Sequence, residues 1–279
     1  KLSRKNPGQA VDLYLEVAER TLAKSLNKGD EARIHRHATG HALALMYPES
    51  DRPAGKSSCY RITYAKGKNL YQPEQFDSMT FADACKVDNA DLKIQEGIGA
   101  PMVCRINYSA ERKKANPFLH PVGIEASATA LVEFPSKGHA RITLCNTSHG
   151  DQVWFRGASR TLATNFTTPL IAAMVQQQTK RLGWRGVRRP ADFINEMGLY
   201  SVEIINPTKI PVVFTHGLGS RPATWLKPYN ALLAEKWFRE NYLVYGFYYP
   251  TGLPPMYPAA GLRQGLAEMH QELRNRGAG

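Results

Sequence analysis

At 279 residues, with 43% hydrophobic and 22% charged residues, the chain has the make-up of a folded globular protein long enough for two domains, which excludes a disordered or fibrous polypeptide. No apolar run reaches the ~18 residues that a membrane-spanning helix needs. Lys and Arg outnumber Asp and Glu 36 to 24, but the +12 excess is spread along the chain. It reads as a solubilising surface that would also favour an anionic membrane surface, and no motif turns it into a nucleic-acid footprint.

The four cysteines, Cys59, Cys85, Cys104 and Cys145, match no zinc spacing, and no metal or other cofactor is expected. Their even number permits two disulfides in an oxidising compartment; reduced buried thiols fit equally well. The chain opens at Lys1 without Met or an apolar leader, so a removed signal segment or a trimmed sequence is expected.

Taken in order, residues 9–27 place Leu13, Val17, Leu22 and Leu26 at helical steps, and residues 31–47 repeat the pattern through Ile34, Ala38, Ala42 and Leu45. An antiparallel helical hairpin is predicted, with no second copy to make a repeat array. His37 and His41 lie four apart, the spacing of metal ligands on one helix face. With no H-E-x-x-H pattern and no further ligand, His35, His37 and His41 read as incidental residues on a solvent-facing helix. Gly55-Lys56-Ser57 lacks the earlier glycine and the following helix of a phosphate loop, so nucleotide binding there is rejected.

Residues 58–156 change to short β runs: 59–64, 101–107, 128–134, 140–145 and 153–155. Pro135-Ser136-Lys137-Gly138 would close a hairpin with a loop of four or five residues, and the whole predicts a small, largely antiparallel sheet. Thr168 is the expected N-cap and Pro169 the first residue of a helix running to about Leu182. Five cations around Trp184, between Lys180 and Arg189, read as a solvated connection, with membrane contact the next alternative.

Strand signals resume at 199–205. Next, the nearly continuous apolar run Ile210 to Phe214 breaks into Thr215-His216-Gly217-Leu218-Gly219-Ser220, the pattern of a buried parallel strand feeding a loop and a helix. Pro228 is expected to split that helix into segments 222–226 and 228–238. A second strand-like run, 242–249, leads into Pro250-Thr251-Gly252 and then a helical stretch from Tyr257 to Arg274.

That ordered set over about 200–279 resembles bacterial α/β-hydrolases of the lipase and esterase group with an N-terminal accessory domain. More loosely, Gly97-Ile98-Gly99-Ala100-Pro101 resembles a turn upstream of their catalytic domain. The resemblance implies that His216, Gly217, Leu218 and Gly219 form the oxyanion-hole loop, with the Leu218 N–H as donor, Gly217 keeping the approach open and His216 orienting the loop. Trp225 and Tyr229 read as core or lid packing, with an acyl-site wall as the alternative. Trp225, Leu253, Met256 and Tyr257 are the candidate substrate contacts.

The nucleophile elbow G-x-S-x-G is missing; Gly55 to Cys59 and Gly157 to Thr161 both lack its last glycine. The acid and base that would follow the serine are missing with it. The expectation is therefore an α/β protein in two parts. Residues 1–205 form an α+β accessory domain, and 206–279 form the first strands and helices of an α/β-hydrolase sheet, with 199–205 as a possible earlier strand of that sheet. The complete protein would act on an ester or lipid substrate in the cell envelope, as families of this kind often carry an export signal. A non-catalytic envelope binding module built on a remnant hydrolase sheet is the alternative.

Overall fold

The computed structural model describes residues 5–26, 29–49, 51–87, 91–178, 194–217, 219–220 and 222–277, and combines helices with mixed sheets. The chain packs as two compact units, one from 1–106 and 126–169, the other from 107–125 and 170–279. This division differs from a cut at 206. The strand expected at 199–205 is formed at Gly198–Ser201 and hydrogen-bonds to the Tyr242–Tyr248 strand, so it belongs with the second unit.

In the first unit, α1 (Pro7–Thr21) starts with Asn6 Oδ1 accepting from the Gln9 N–H at 3.1 Å and Pro7 in the first turn. Val11, Leu15, Ala18 and Leu22 line its buried side; the helix ends at Thr21, and residues 22–26 form turns rather than the continuation expected to 27. The partner α2 (Asp30–Met46) carries Asp30 and Glu31 in its first turn, where the helix dipole favours carboxylates, and buries Ala38, Ala42 and Leu43.

His35 is not incidental. It is 6% exposed, and its Nδ1–H donates to the Ala18 carbonyl at 2.9 Å, which is one of the last-turn acceptors of α1. The sequence reading of a solvent-facing histidine fails here because the acceptor lies across the hairpin, outside the helix's own periodicity. His37 is exposed; it and His41 pack edge-on against Phe81, and no cluster of metal-ligating side chains exists among the described residues.

The strands β1 (Arg61–Tyr64), β2 (Leu70–Tyr71), β3 (Ser78–Phe81), β4 (Ile94–Gln95), β5 (Ala100–Ile106), β6 (Ile124–Ser136) and β7 (His139–Asn146) give a sheet of order β1-β7-β6-β5-β3, with β2 also on β7 and β4 outside it. Its β1–β7 pair is parallel. A short helix, α3 (Ala110–Ala115), lies between β5 and β6 in sequence, in the second unit. The β6–β7 connection is Lys137-Gly138, two residues rather than four or five, because the ladder continues through a register shift between Glu133 and Ser136. Pro135 sits within that irregularity, where a missing N–H costs no ladder bond.

Gly99 adopts φ +88, and an added Cβ would stand 2.7 Å from both Leu131 and Thr129 side chains, so backbone conformation and packing both require glycine in this turn. The strands β8 (Gln152–Phe155) and β9 (Ala158–Thr161) form a hairpin around Arg156 and Gly157, which is why the Gly157–Thr161 stretch is no strand-to-helix elbow. No disulfide joins the cysteines; Cys104 and Cys145 are buried. After β10 (Thr164–Asn165), the helix α4 (Thr167–Gln178) is capped by Asn165 Oδ1, which accepts from the Thr168 N–H at 2.9 Å, and not by the Thr168 side chain. The basic stretch from Lys180 to Arg189 lies outside the described residues.

In the second unit, β11 (Gly198–Ser201), β12 (Ile210–Thr215) and β13 (Tyr242–Tyr248) form a sheet of order β11-β13-β12, with β11 antiparallel and β12 parallel to β13. Alternation along β13 separates two cores. Leu243, Tyr245 and Phe247 pack with Phe118, Leu199 and the α7 (Met256–Asn275) residues Met269 and Leu273. Val244 packs on the opposite face with Leu170, Tyr229 and Phe238.

The expected short first segment is formed, as a 3₁₀ turn at Pro222–Trp225, but Pro228 does not mark its end. Pro228 falls within the first turn of α5 (Leu226–Ala234), where a backbone N–H has no intrahelical partner, and a further break comes at Glu235 before α6 (Lys236–Asn241). Buried Arg239 donates through one guanidinium nitrogen to Leu233 O at 2.7 Å and Ala234 O at 2.8 Å, satisfying the orphan carbonyls at the end of α5. No helix among the described residues is long and apolar enough to cross a membrane.

The hairpin's contact with the first sheet turns on Gly40, whose added Cβ would stand 2.3 Å from the buried Phe81 ring. Gly40→Ala should lower stability by about 1–3 kcal/mol through overpacking, outweighing the ~1 kcal/mol that alanine contributes to a helix interior. A lower urea midpoint for this variant would bear that out; an unchanged or higher one would refute it.

Candidate functional site

The loop His216–Ser220 leaves the carboxyl end of β12, the position at which open α/β sheets bind ligands. The strand itself is not the buried one expected from its apolar run. Ile210 is 57% exposed, both end residues face solvent, and β12 pairs only with β13 among the described residues. The more buried strand is β13, and Pro211 is compatible with an edge position because an edge tolerates a missing donor.

Three successive carbonyls at this strand end are engaged. Trp225 Nε1–H donates to Thr215 O at 2.8 Å, Tyr249 O–H donates to His216 O at 2.6 Å, and the Ser220 N–H donates to Gly217 O at 3.1 Å. The last bond closes a turn whose third residue, Gly219, has φ +68, a conformation that glycine adopts without strain. Gly217 and Gly219 are exposed, and a Cβ on either would meet nothing within 4 Å.

His216 is 4% exposed and lies flat on Tyr249, ring centroids 4.3 Å apart and planes 8° from parallel. The Tyr249 N–H donates to His216 Nε2 at 3.4 Å, so Nε2 is an acceptor and the proton resides on Nδ1, which faces Gly217 O at 3.3 Å. Burial pushes the imidazole pKa below its ordinary value, against the opposing pull of the Gly217 carbonyl. His216 is therefore a neutral side chain held against Tyr249 at the strand exit.

Of the residues singled out in the sequence, His216, Gly217 and Gly219 share this loop, and Trp225 is joined to it through Thr215. Leu218 lies outside the described residues. Trp225 stacks on Phe214 at 5.2 Å and lines a cavity with Tyr229 and Tyr248. Leu253, Met256 and Tyr257 do not line that cavity; Met256 is 71% and Tyr257 55% exposed. The sequence reading missed Tyr249, which clamps His216 by three contacts. Its signal was the Tyr248-Tyr249-Pro250 run, where a strand exit brings an aromatic beside the neighbouring strand's loop.

Because the folded-state pKa of His216 lies below the ordinary 6.5, as does that of buried His35, the unfolded chain binds protons that the folded chain refuses below that pH. Stability is then complete above pH 6.5 and falls as acid is added. Urea midpoints should drop between pH 7.5 and pH 5, and His216→Gln, which cannot titrate, should shrink the drop; an equal drop in this variant would exclude His216 as a contributor. Tyr249→Phe, which leaves the His216 carbonyl without its donor, should cost about 1 kcal/mol at pH 7.5 by the same measurement.

Comparison with known proteins gives no match for this chain to a protein-family model, a curated protein or a solved structure.

Proposed function

We propose that this chain supplies the oxyanion-hole side of an α/β-hydrolase-type carboxylic ester hydrolase, whose nucleophile, acid and base come from sequence outside these residues. The observation that carries the reading is the saturation of the Thr215, His216 and Gly217 carbonyls by Trp225, Tyr249 and Ser220. A developing oxyanion is repelled by free carbonyl oxygens and held by N–H groups. Engaging the carbonyls, with no side chain on Gly217 or Gly219, suits the loop to an anionic oxygen.

In the complete enzyme a serine would attack the ester carbonyl while a histidine takes its proton. The negative charge arriving on the carbonyl oxygen would be held by the Leu218 N–H, and collapse of the intermediate would expel the alcohol with the proton from the histidine. One such donor contributes on the order of 3 kcal/mol to transition-state stabilisation. A non-catalytic binding module is the second reading, favoured by the absence of a G-x-S-x-G pentapeptide from these 279 residues.

Hydrolysis of p-nitrophenyl butyrate and palmitate by the natural protein, beside the 279-residue chain, decides between them. The enzyme reading expects turnover by the natural protein, none by this chain, and a loss of about 10²–10³-fold in kcat for Leu218→Pro with KM little changed. A natural protein with no esterase activity, or one indifferent to Leu218→Pro, overturns it and leaves the binding module.

A further inference from the structure

Within the second unit, one row of side chains across the sheet is interrupted by a hole. On β13, Gly246 pairs with Tyr200 of β11 on one side and Phe214 of β12 on the other. All three positions contribute to the same cavity of about 100 Å³, which Leu170, Ala173 and Met174 of α4 also line. A Cβ at Gly246 would meet nothing within 4 Å, and the residue's φ lies outside the left-handed region, so neither sterics nor backbone conformation requires glycine here. Glycine in a central strand weakens it, and an unfilled core hole destabilises further. Both features are expected where a ligand approaches the backbone.

The hole has a shape and a polarity. Tyr200 and Phe214 stand two strand spacings apart, about 10 Å, which leaves between two upright side chains the thickness of one planar group. Cavities of this order lined by apolar side chains accept benzene. Most polar groups on the wall are already committed: Trp225 Nε1–H to Thr215 O, Tyr200 O–H to Glu196 O and Ser201 O–H to Phe118 O. Tyr229 is 6% exposed and lines the same cavity, and its phenolic O–H can both donate and accept. On a wall that is otherwise apolar or committed, a phenolic hydroxyl favours a ligand that offers it a hydrogen-bonding oxygen.

We propose that this cavity binds a small neutral ligand, a single aromatic ring bearing one hydroxyl or carbonyl oxygen. The ring lies over Gly246 between Tyr200 and Phe214, and its oxygen pairs with the Tyr229 hydroxyl. No part of this depends on the ester-hydrolase reading, since it uses neither the His216 loop nor a nucleophile.

Phenol and toluene, titrated at millimolar concentration into the 279-residue chain, are the probes, with thermal shift and calorimetry as readouts. Both should raise the melting temperature of the wild type by mass action. Gly246→Val, which fills the floor, should abolish both responses without lowering the melting temperature of the free protein. Tyr229→Phe should weaken phenol about three- to tenfold and leave toluene unchanged. If Gly246→Val melts below the wild type, Ala173→Leu fills the same space from the helix and takes its place. No response to either probe in the wild type, or an equal response in the cavity-filled variant, overturns the site; equal loss of phenol and toluene in Tyr229→Phe overturns the role given to the hydroxyl.

Discussion

The second unit depends on the two-residue alternation of β13. A strand with neighbours on both sides must bury both faces, and β13 does so by sending Leu243, Tyr245 and Phe247 towards α7 and Val244 towards α5. A slip of one residue would exchange the two rows and place Gly246 under α7, so the register is strongly specified. The chain leaving this strand is fixed as a consequence. Tyr249 reaches the His216 ring because Phe247 is locked opposite Thr215.

Electrostatics at the end of β12 follow from that placement. A strand terminus ordinarily exposes carbonyl oxygens, and a buried imidazole beside them would be drawn towards its charged form. Here the acceptors are consumed by Trp225, Tyr249 and Ser220, and the His216 ring is stacked and desolvated, so it stays neutral. Buried Lys209, just before the same strand, is matched by half-buried Glu203 at 3.5 Å. These are paired or neutral groups, which is what a sheet of three strands can bury without a large desolvation penalty.

How much of this was legible in the sequence depended on the range of the interaction. The hairpin was readable because Val11, Leu15 and Ala18 repeat within one helix, and the strands of the first sheet because apolar runs stop at turn residues. His35 was misread because its partner, the Ala18 carbonyl, lies 17 residues away and carries no side-chain signal. The apolar run of β12 looked buried, although the same composition suits a half-covered edge strand, and only pairing distinguishes the two. The boundary at 206 came from a turn, whereas packing assigns 107–125 and the chain from 170 to one unit, a fact of long-range contacts. At the candidate site, the His-Gly loop was visible as a motif, but its clamp was not, since Tyr249 sits 33 residues away from its acceptor.

Gly246 is where the two levels of reading meet. In the sequence it is a glycine inside a run of Tyr, Val and Phe, a local inconsistency that strand propensity alone would remove. In the structure nothing compels it: an added Cβ would meet nothing within 4 Å, and a β-branched residue would stiffen the strand. Local rules are broken without compensation mainly where function requires it. A hole held open by a rigid, correctly registered sheet also keeps its walls in place when empty, so a ligand entering it has little side-chain ordering to oppose it. The same alternation that buries Tyr245 and Phe247 on one face therefore makes the gap at Gly246 a fixed shape on the other.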